Sequence, residues 1–390
     1  MKVRRRVVVT GMGVVTGLGL GLEKFWAGMV EKKSAVRPIP WIGWEDAPVQ
    51  VAAMLEERLP GEGWRNRRMA EWALREALGQ SRPGGRGGIA AAIGWPGPNE
   101  EGDGNPVAFL AEKNAIGGIR MESLAACAAS TQMIGEAFWR IRDGEVDWMA
   151  AGGADGRVHS GGILGYDRLG ALARGFRDRP SQACRPFGVG RSGFVVGEGA
   201  GFLILENKDS AEQRGAEILA EIRGASQGCD AWRVTDPGVG GKEAEACLRG
   251  CLEDAGMEVG EVDAVVAHGT GTVANDRVEA EVLGRVLENF PFRIVAPKAS
   301  LGHLSMACGA VESVLAVKSL HEGRLAGPGP GDWPTDPECP IQGKDANPIR
   351  APRNILKPSF GFGGQNACLV FSAWKNEAGA FAIGKPDNGS

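Results

Sequence analysis

An α/β fold, with parallel sheets covered by helices, is the class this sequence predicts, and three features predict it. Short β-rich apolar runs alternate with helical patterns along the whole chain. Glycine accounts for 61 of 390 residues, well above the usual share of about 7%. Those glycines fall inside apolar-periodic sequence. They therefore read as tight strand-to-helix turns and close backbone approaches, not as disorder or collagen.

In order, residues 7–10 read as a buried strand, followed by glycine-rich turns over 11–21 and an amphipathic helix over 22–32. Periodicity then predicts a helix at 67–78, a strand at 88–94, a helix at 131–142 and a strand at 148–153. Two short strands around a glycine bend are expected within 194–206, and another strand at 218–222. The second half repeats this alternation, with helix 242–255, strand 264–268, helix 277–287, strand 293–296, helix 306–321 and strand 367–372. The loop-like stretch 224–241 marks the expected seam between halves, and the proline-rich 327–340 an irregular surface connection. Periodicity fades in the last residues, which are expected to trail off the fold.

Apolar residues make up 43% and charged residues 24% of the chain, with a net charge of −4. Nothing in that balance points to nucleic acid or an anionic membrane surface. The eight cysteines contain no C-x-x-C and no regular framework, and a chain of this length needs no disulfide staples. A reducing cytoplasm is the expected setting. Arg4, Arg5 and Arg6 precede an apolar run, which superficially resembles a signal peptide. Glycines interrupt the run and no small-x-small cleavage site follows, so it is expected to be a strand and turn. No apolar stretch has the length of a membrane span.

The candidate chemistry begins at Cys127, in Ser123-Leu-Ala-Ala-Cys127-Ala-Ala-Ser-Thr-Gln-Met133. It stands at the start of a helical run among residues too small to cover its sulfur. The positive helix end there would favour a thiolate nucleophile. A free cysteine is more often a buried packing residue; two histidines change the balance. His268 lies in His268-Gly-Thr270-Gly-Thr272 and His303 in Lys298-Ala-Ser-Leu-Gly-His303. Both follow expected parallel strands, where α/β proteins place ligands, and a cysteine with two such histidines points to covalent catalysis. His159 and His321 have no such setting and read as surface residues. The histidines lack ligand spacing, so no metal site is expected.

Further motifs carry a resemblance. Gly11-Met-Gly13, Ala126-Cys127-Ala128, Arg185-Pro-Phe187, Gly193-Phe-Val-Val-Gly-Glu-Gly-Ala-Gly201, the His268 run with Asn275-Asp276, the Lys298–His303 run with Gly309-Ala310, and Ser359-Phe-Gly-Phe362-Gly-Gly-Gln-Asn366 occur in an order that resembles β-ketoacyl-carrier-protein synthases, closest to the elongating type II class, over nearly the whole chain. The resemblance implies the thiolase fold: two similar α/β halves, each with a five-stranded sheet, stacked in an αβαβα arrangement and normally dimeric. Residues 1–240 would form the half with the nucleophile, 241–375 the half with both histidines, and 376–390 an irregular tail.

The resemblance also implies roles. Cys127 would hold an acyl group as a thioester, and His268 and His303 would serve decarboxylation of a malonyl thioester. Lys298 would be the active-site lysine with Glu312 its partner. Backbone N–H groups of Cys127 and Phe362 would stabilise the condensation oxyanion, and Phe362 would gate the nucleophile. Thr270 and Thr272 would bind the phosphopantetheine arm of an acyl carrier protein, with no cofactor bound to the chain itself. Because carrier proteins are acidic, a basic docking surface is expected. Arg65, Arg67 and Arg68 begin the helix that matches the family's docking helix, and Arg174 and Arg177 form a second candidate loop. A homodimer is expected, with a heterodimer of two ketosynthase-like chains also open.

Three departures stand out. The stretch 94–122 is short for the family, a region that bears on the dimer and the acyl tunnel. The family's Phe-Asp-x-x-Arg-Asp-Gly reads Phe187-Gly-Val-Gly-Arg191-Ser-Gly193, so two carboxylates are missing. Residues around the second histidine, Leu301 and Leu304-Ser-Met-Ala307, are bulkier than usual and would narrow the pocket. Competing readings are weaker. The turn at 8–17 resembles a dinucleotide loop, but the only tyrosine, Tyr166, has Gly170 and not lysine four residues on. A degradative thiolase would carry a second cysteine where His303 stands. A non-catalytic chain-length factor would lack Cys127. A polyketide or other specialised ketosynthase shares every residue above.

Overall fold

The computed structural model describes residues 4–41, 43–97, 100–102, 104–288, 290–341 and 351–374; the tail expected over 376–390 lies outside them. The first half runs β1 (Val7–Thr16), β2 (Gly19–Leu20), α1 (Leu22–Val30), β3 (Val36–Pro38), β4 (Val51–Ala53), α2 (Arg65–Gln80), β5 (Gly88–Ile93), α3 (Pro106–Lys113), β6 (Ile119–Glu122), α4 (Ala129–Arg142), β7 (Trp148–Gly156), α5 (Ser160–Arg168), β8 (Glu198–Asn207) and α6 (Lys208–Gln213). The second runs β9 (Ala220–Cys229), α7 (Lys242–Ala255), β10 (Ala264–Val266), α8 (Val273–Leu287), β11 (Arg293–Val295), α9 (Lys298–Leu301), α10 (Cys308–His321), β12 (Asn354–Gly361) and β13 (Gln365–Ala373).

Strand order reveals a repeat. The large sheet reads β11-β10-β12-β13-β9-β1-β8-β7-β5-β6, two five-strand units of matching order. β5 pairs in parallel with β6 and β7, as β10 does with β11 and β12. The inner strands of each unit pair antiparallel. The units join where β1 meets β9 over Val7↔Ile222, Val8↔Glu221 and Val9↔Ala220. The two five-strand sheets are thus edge-joined through this short seam. α4 and α10 each contact strands of both units, α2 and α3 cover the first, and α7 packs on the second. That is the layered α/β arrangement expected. α10 is buried almost all round, as a helix between two sheets must be.

Several boundaries move, for tertiary reasons. β1 does not stop at Thr10 but continues through the glycines to Thr16. A Cβ at Gly11 or Gly13 would lie 2.4 Å from the Ala77 carbonyl or 2.0 Å from that of Ala73, so these glycines let α2 lie on the strand. The two strands expected in 194–206 are one strand, β8, preceded by bridges at Phe194 and Val196. β9 extends to Cys229, into the stretch expected to be loop, and pairs with β13 of the second unit. α3 and β6 occupy the shortened 94–122 stretch, and β12 arises where the apolar periodicity predicts no strand.

Candidate active site

Cys127 sits in a single 3-10 turn, Ala126–Ala128, that leads from β6 into α4. Ala126 is left-handed, with φ +47°. Ser305, with φ +49°, opens the equivalent turn, Ser305–Ala307, before α10. The same local device thus begins the central helix of each half. Gly361, at the end of β12, closes over the first turn: a Cβ there would lie 3.1 Å from the amide nitrogens of Cys127 and Ala128. The sulfur is covered after all, with Cys127 only 6% exposed. Burial pushes its thiol up to about 11, against the Lys298 charge and a hydrogen bond from the Phe362 N–H. Burial thus acts against the ionised form that the helix end favours, because desolvation penalises the charge.

Both histidines follow strand or helix ends of the second half. Glu279 of α8 accepts the amides of His268 (2.7 Å) and Gly269 (2.8 Å), and Asp276 accepts those of Thr270 and Gly271. These two buried carboxylates fix the loop after β10. His303 follows Gly302, whose φ of +68° and contact with the Val195 carbonyl suit glycine. The Ser305 amide donates to His303 Nδ1 at 3.0 Å, so the ring proton is on Nε2. Lys298 Nζ donates to the His268 carbonyl at 2.6 Å, to Glu312 Oε1 at 2.6 Å, and lies 3.3 Å from His268 Nδ1. An ammonium has only donors, so His268 also carries its proton on Nε2. The two rings stand edge to face with centroids 5.8 Å apart. Burial, then the Lys298 charge, holds both well below the ordinary imidazole range, and both are neutral at pH 7.

A cavity of about 300 Å³ is lined by Cys127, His268, His303, Thr270, Thr272 and Phe362. The thiol and both imidazoles share it, while Lys298 and Glu312 lie behind, each 1% exposed. The hydroxyls of Thr270 and Thr272 are 2.8 Å apart, and Thr272 also caps α8. Phe362 packs near Tyr166, with ring centroids 6.5 Å apart.

The basic surface differs from expectation. α2 does begin with Arg65, but Arg67 is buried with its guanidinium over the Trp64 and Phe109 rings (4.8 and 4.1 Å). It turns inward with Met69 and Ala70 and offers nothing to a partner. Arg65 is held by Glu198 at 2.5 Å, and Arg68 is half-buried and donates to the Leu59 carbonyl. Arg177 is half-buried; Arg174 is exposed and paired with Asp167 at 2.9 Å. The two other histidines are not free surface groups. His159 caps α5 by accepting from the Gly162 amide, and His321 is mostly buried near Glu217.

Arg191 pairs with Asp336 from the proline-rich connection and lies 4.0 Å from Asp276. Two residues near the site, Tyr166 and Lys357, belong to no motif read from the sequence. Tyr166 and Ser305 share a hydroxyl hydrogen bond of 3.1 Å against Phe362, and Lys357 of β12 is a fully buried lysine. A sole tyrosine and a lysine inside an apolar run were the available signals. Among the described residues no cluster of His, Cys, Asp or Glu is arranged to hold a metal ion, and no helix is long and apolar enough to cross a membrane.

Comparison with known proteins gives this geometry a family. The model of the β-ketoacyl synthase N-terminal domain matches residues 4–63 and 106–211, and that of the C-terminal domain 219–328. The first match ends at 211 and the second begins at 219. The 3-oxoacyl-[acyl-carrier-protein] synthase 2 of Staphylococcus aureus is 30% identical over 96% of this chain and 100% of its own length. A type II polyketide ketosynthase, solved with its acyl-carrier protein and described as bound to the hexaketide, superposes with a TM-score of 0.85 at 27% identity, covering 95% of this chain and 100% of its own. The ishigamide ketosynthase/chain length factor gives 0.84 at 30% identity over 95% and 100%. With both domain models matched in order around one cysteine and two neutral histidines, the chain belongs to the β-ketoacyl synthase family of acyltransferases, whose reaction is a Claisen condensation.

Proposed function

We propose that this chain condenses an acyl group held on Cys127 with a malonyl thioester, lengthening a fatty-acyl or polyketide chain by two carbons. One observation carries the reading: a buried thiol and two neutral imidazoles, each with its proton on Nε2, open on the same cavity. Cys127 Sγ attacks an acyl thioester, the carbon–sulfur bond to the carrier breaks, and the proton leaves with the carrier thiol. Malonyl thioester then loses carbon dioxide, and the bonding pair becomes an enolate. The Nε2–H groups of His268 and His303 receive its oxygen. The enolate carbon attacks the acyl-Cys127 carbonyl, whose oxygen is met by the amides of Cys127 and Phe362. The sulfur departs and is reprotonated. Two half-reactions on one nucleophile give ping-pong kinetics.

The donor and extender arrive on the phosphopantetheine arm of an acyl carrier protein, with Thr270 and Thr272 beside it in the cavity. The complex named for the polyketide relative supports that partner. Arg174, the exposed member of the basic set, is the better docking candidate, with Arg65, Arg68 and Arg177 less available. A homodimer is the working assembly. A heterodimer with a chain-length-factor-like subunit is the second reading, favoured by the ketosynthase/chain length factor relative. Eight cysteines without a disulfide suit the reducing cytoplasm. Intact-protein mass spectrometry tests the nucleophile. Acyl carrier proteins of graded chain length should leave an adduct on the wild type and none on Cys127→Ala. His303→Ala should still acylate but fail to decarboxylate malonyl thioester; wild-type turnover in that variant refutes the assignment.

A further inference from the structure

Glu312 faces two ammonium groups, Lys298 and Lys357. Lys298 takes Oε1, while Lys357 Nζ stands 2.9 Å from Oε2. Lys357 is 0% exposed. It donates to the Pro358 carbonyl at 2.5 Å and to Ser359 Oγ at 2.7 Å. Two hydrogen bonds and the ion pair to Glu312 Oε2, which has no hydrogen-bond partner of its own among the described residues, hold the group. Ser359 is itself tied to Thr131 of α4 at 2.8 Å, so the ammonium is held from several sides. A lysine buried in a strand only to fill space would leave its charge uncompensated at high cost, and an apolar residue would serve better. Here the charge is paired with Glu312 and hydrogen-bonded twice.

Two ammoniums on one carboxylate leave one positive charge behind His268. The nearest other carboxylate, Glu279, is pushed up to about 7 by burial. His303, neutral, stands edge to face with the ring, Cys127 shares its cavity, and Cys308 lies beyond at His303 Nδ1; burial pushes both thiols up.

We propose that Lys357 is a positioning residue for decarboxylation: by occupying Glu312 Oε2 it leaves Lys298 incompletely neutralised, so that Lys298 holds His268 Nδ1 as an acceptor and keeps the Nε2 proton aimed into the cavity. Lys357 does not line the cavity and acts through Glu312 and Lys298. Its charge is also among the causes that lower the His268 imidazole. The inference rests on the roles proposed above for His268 and His303.

Lys357→Gln keeps hydrogen-bonding capacity without the charge, and Lys357→Met removes both. Acyl loading on Cys127, followed by mass, should stay within about twofold of wild type in either variant. Malonyl decarboxylation should fall at least tenfold, and its acid limb should move to higher pH by about one unit, because removing a cation lets His268 protonate more easily. Unchanged decarboxylation and pH profile in a folded variant overturn the proposal. So does an equal loss in loading and decarboxylation, which marks a purely structural role. Should neither variant fold, the wild type still decides: its decarboxylation must keep full rate to below pH 6.5, and an acid limb at or above that value refutes the claim. A wild type that loads acyl groups but never decarboxylates malonyl thioester would instead sink the reaction proposed above.

Discussion

Cys127 illustrates how far a single residue can be read from its neighbours. Its identity as the candidate nucleophile follows from the motif, but its protonation state does not, because a helix end is local and burial is tertiary. Gly361, on a strand more than two hundred residues away, packs against the backbone of the Cys127 turn, and burial raises the thiol to about 11. At pH 8 the thiolate is then about one part in a thousand. Alkylation of Cys127 by iodoacetamide should climb about tenfold per pH unit between 7 and 10 with no plateau. A rate that levels off near pH 7 would show a low thiolate pKa and restore the simpler helix-end account. The motif residues proposed to serve chemistry, His268, His303, Lys298 and Thr270, all fall at the cavity or directly behind it. The arginines placed by helix position alone do less well. An exposed face cannot be read from the first turn of a helix whose other side is undefined, and Arg67 turns inward.

Elements were legible where their period is intrinsic, as in α7, whose bounds are those the apolar spacing predicts. They were not where a residue serves a neighbour. β1 hides behind glycines that accommodate α2, and β12 behind Lys357-Pro358, a pair unlike a central strand. The topology explains the proline. β10 pairs with β12 only at Ile355 and Leu356, so Pro358 lies past the parallel partner, where its missing N–H is not needed on that side. The α4–α10 crossing makes the same point testable. A Cβ at Gly309 would lie 2.0 Å from Thr131 Oγ1 and 2.7 Å from its amide nitrogen, whereas Gly284 in α8 meets nothing within 4 Å. Replacing a helical glycine by alanine gains about 1 kcal/mol from propensity, while overpacking a tight contact costs about 1–3 kcal/mol or more. Gly309→Ala should therefore lower stability by about 2 kcal/mol, and Gly284→Ala should raise it by up to about 1 kcal/mol. Urea midpoints of the two variants check the opposite signs.

At the scale of the whole molecule, the repeat of two five-strand units invites the view that each half is a domain able to fold alone. The packing says otherwise. The strand seam is short, but α4 and α10 bury side chains against both units. One apolar cluster runs from Val9, Ala90, Met149 and Leu203 of the first unit through Ile134 and Val314 to Ile222, Val266, Ile355 and Phe371 of the second. Splitting the chain at the seam would strip each half of the other's central helix and expose a face meant to be dry. At about 25 cal/mol per Å² of apolar surface, that loss exceeds the few kcal/mol by which a domain is stable. Thermal unfolding followed by calorimetry and by tryptophan emission should therefore give one coincident transition. Residues 1–215 and 216–374, expressed apart, should each lack a cooperative melt. Two separated transitions, or a folded isolated half, would show that the halves are independent domains. The site would then have to be read as an interface between them, because Cys127 belongs to the first half and His268 and His303 to the second.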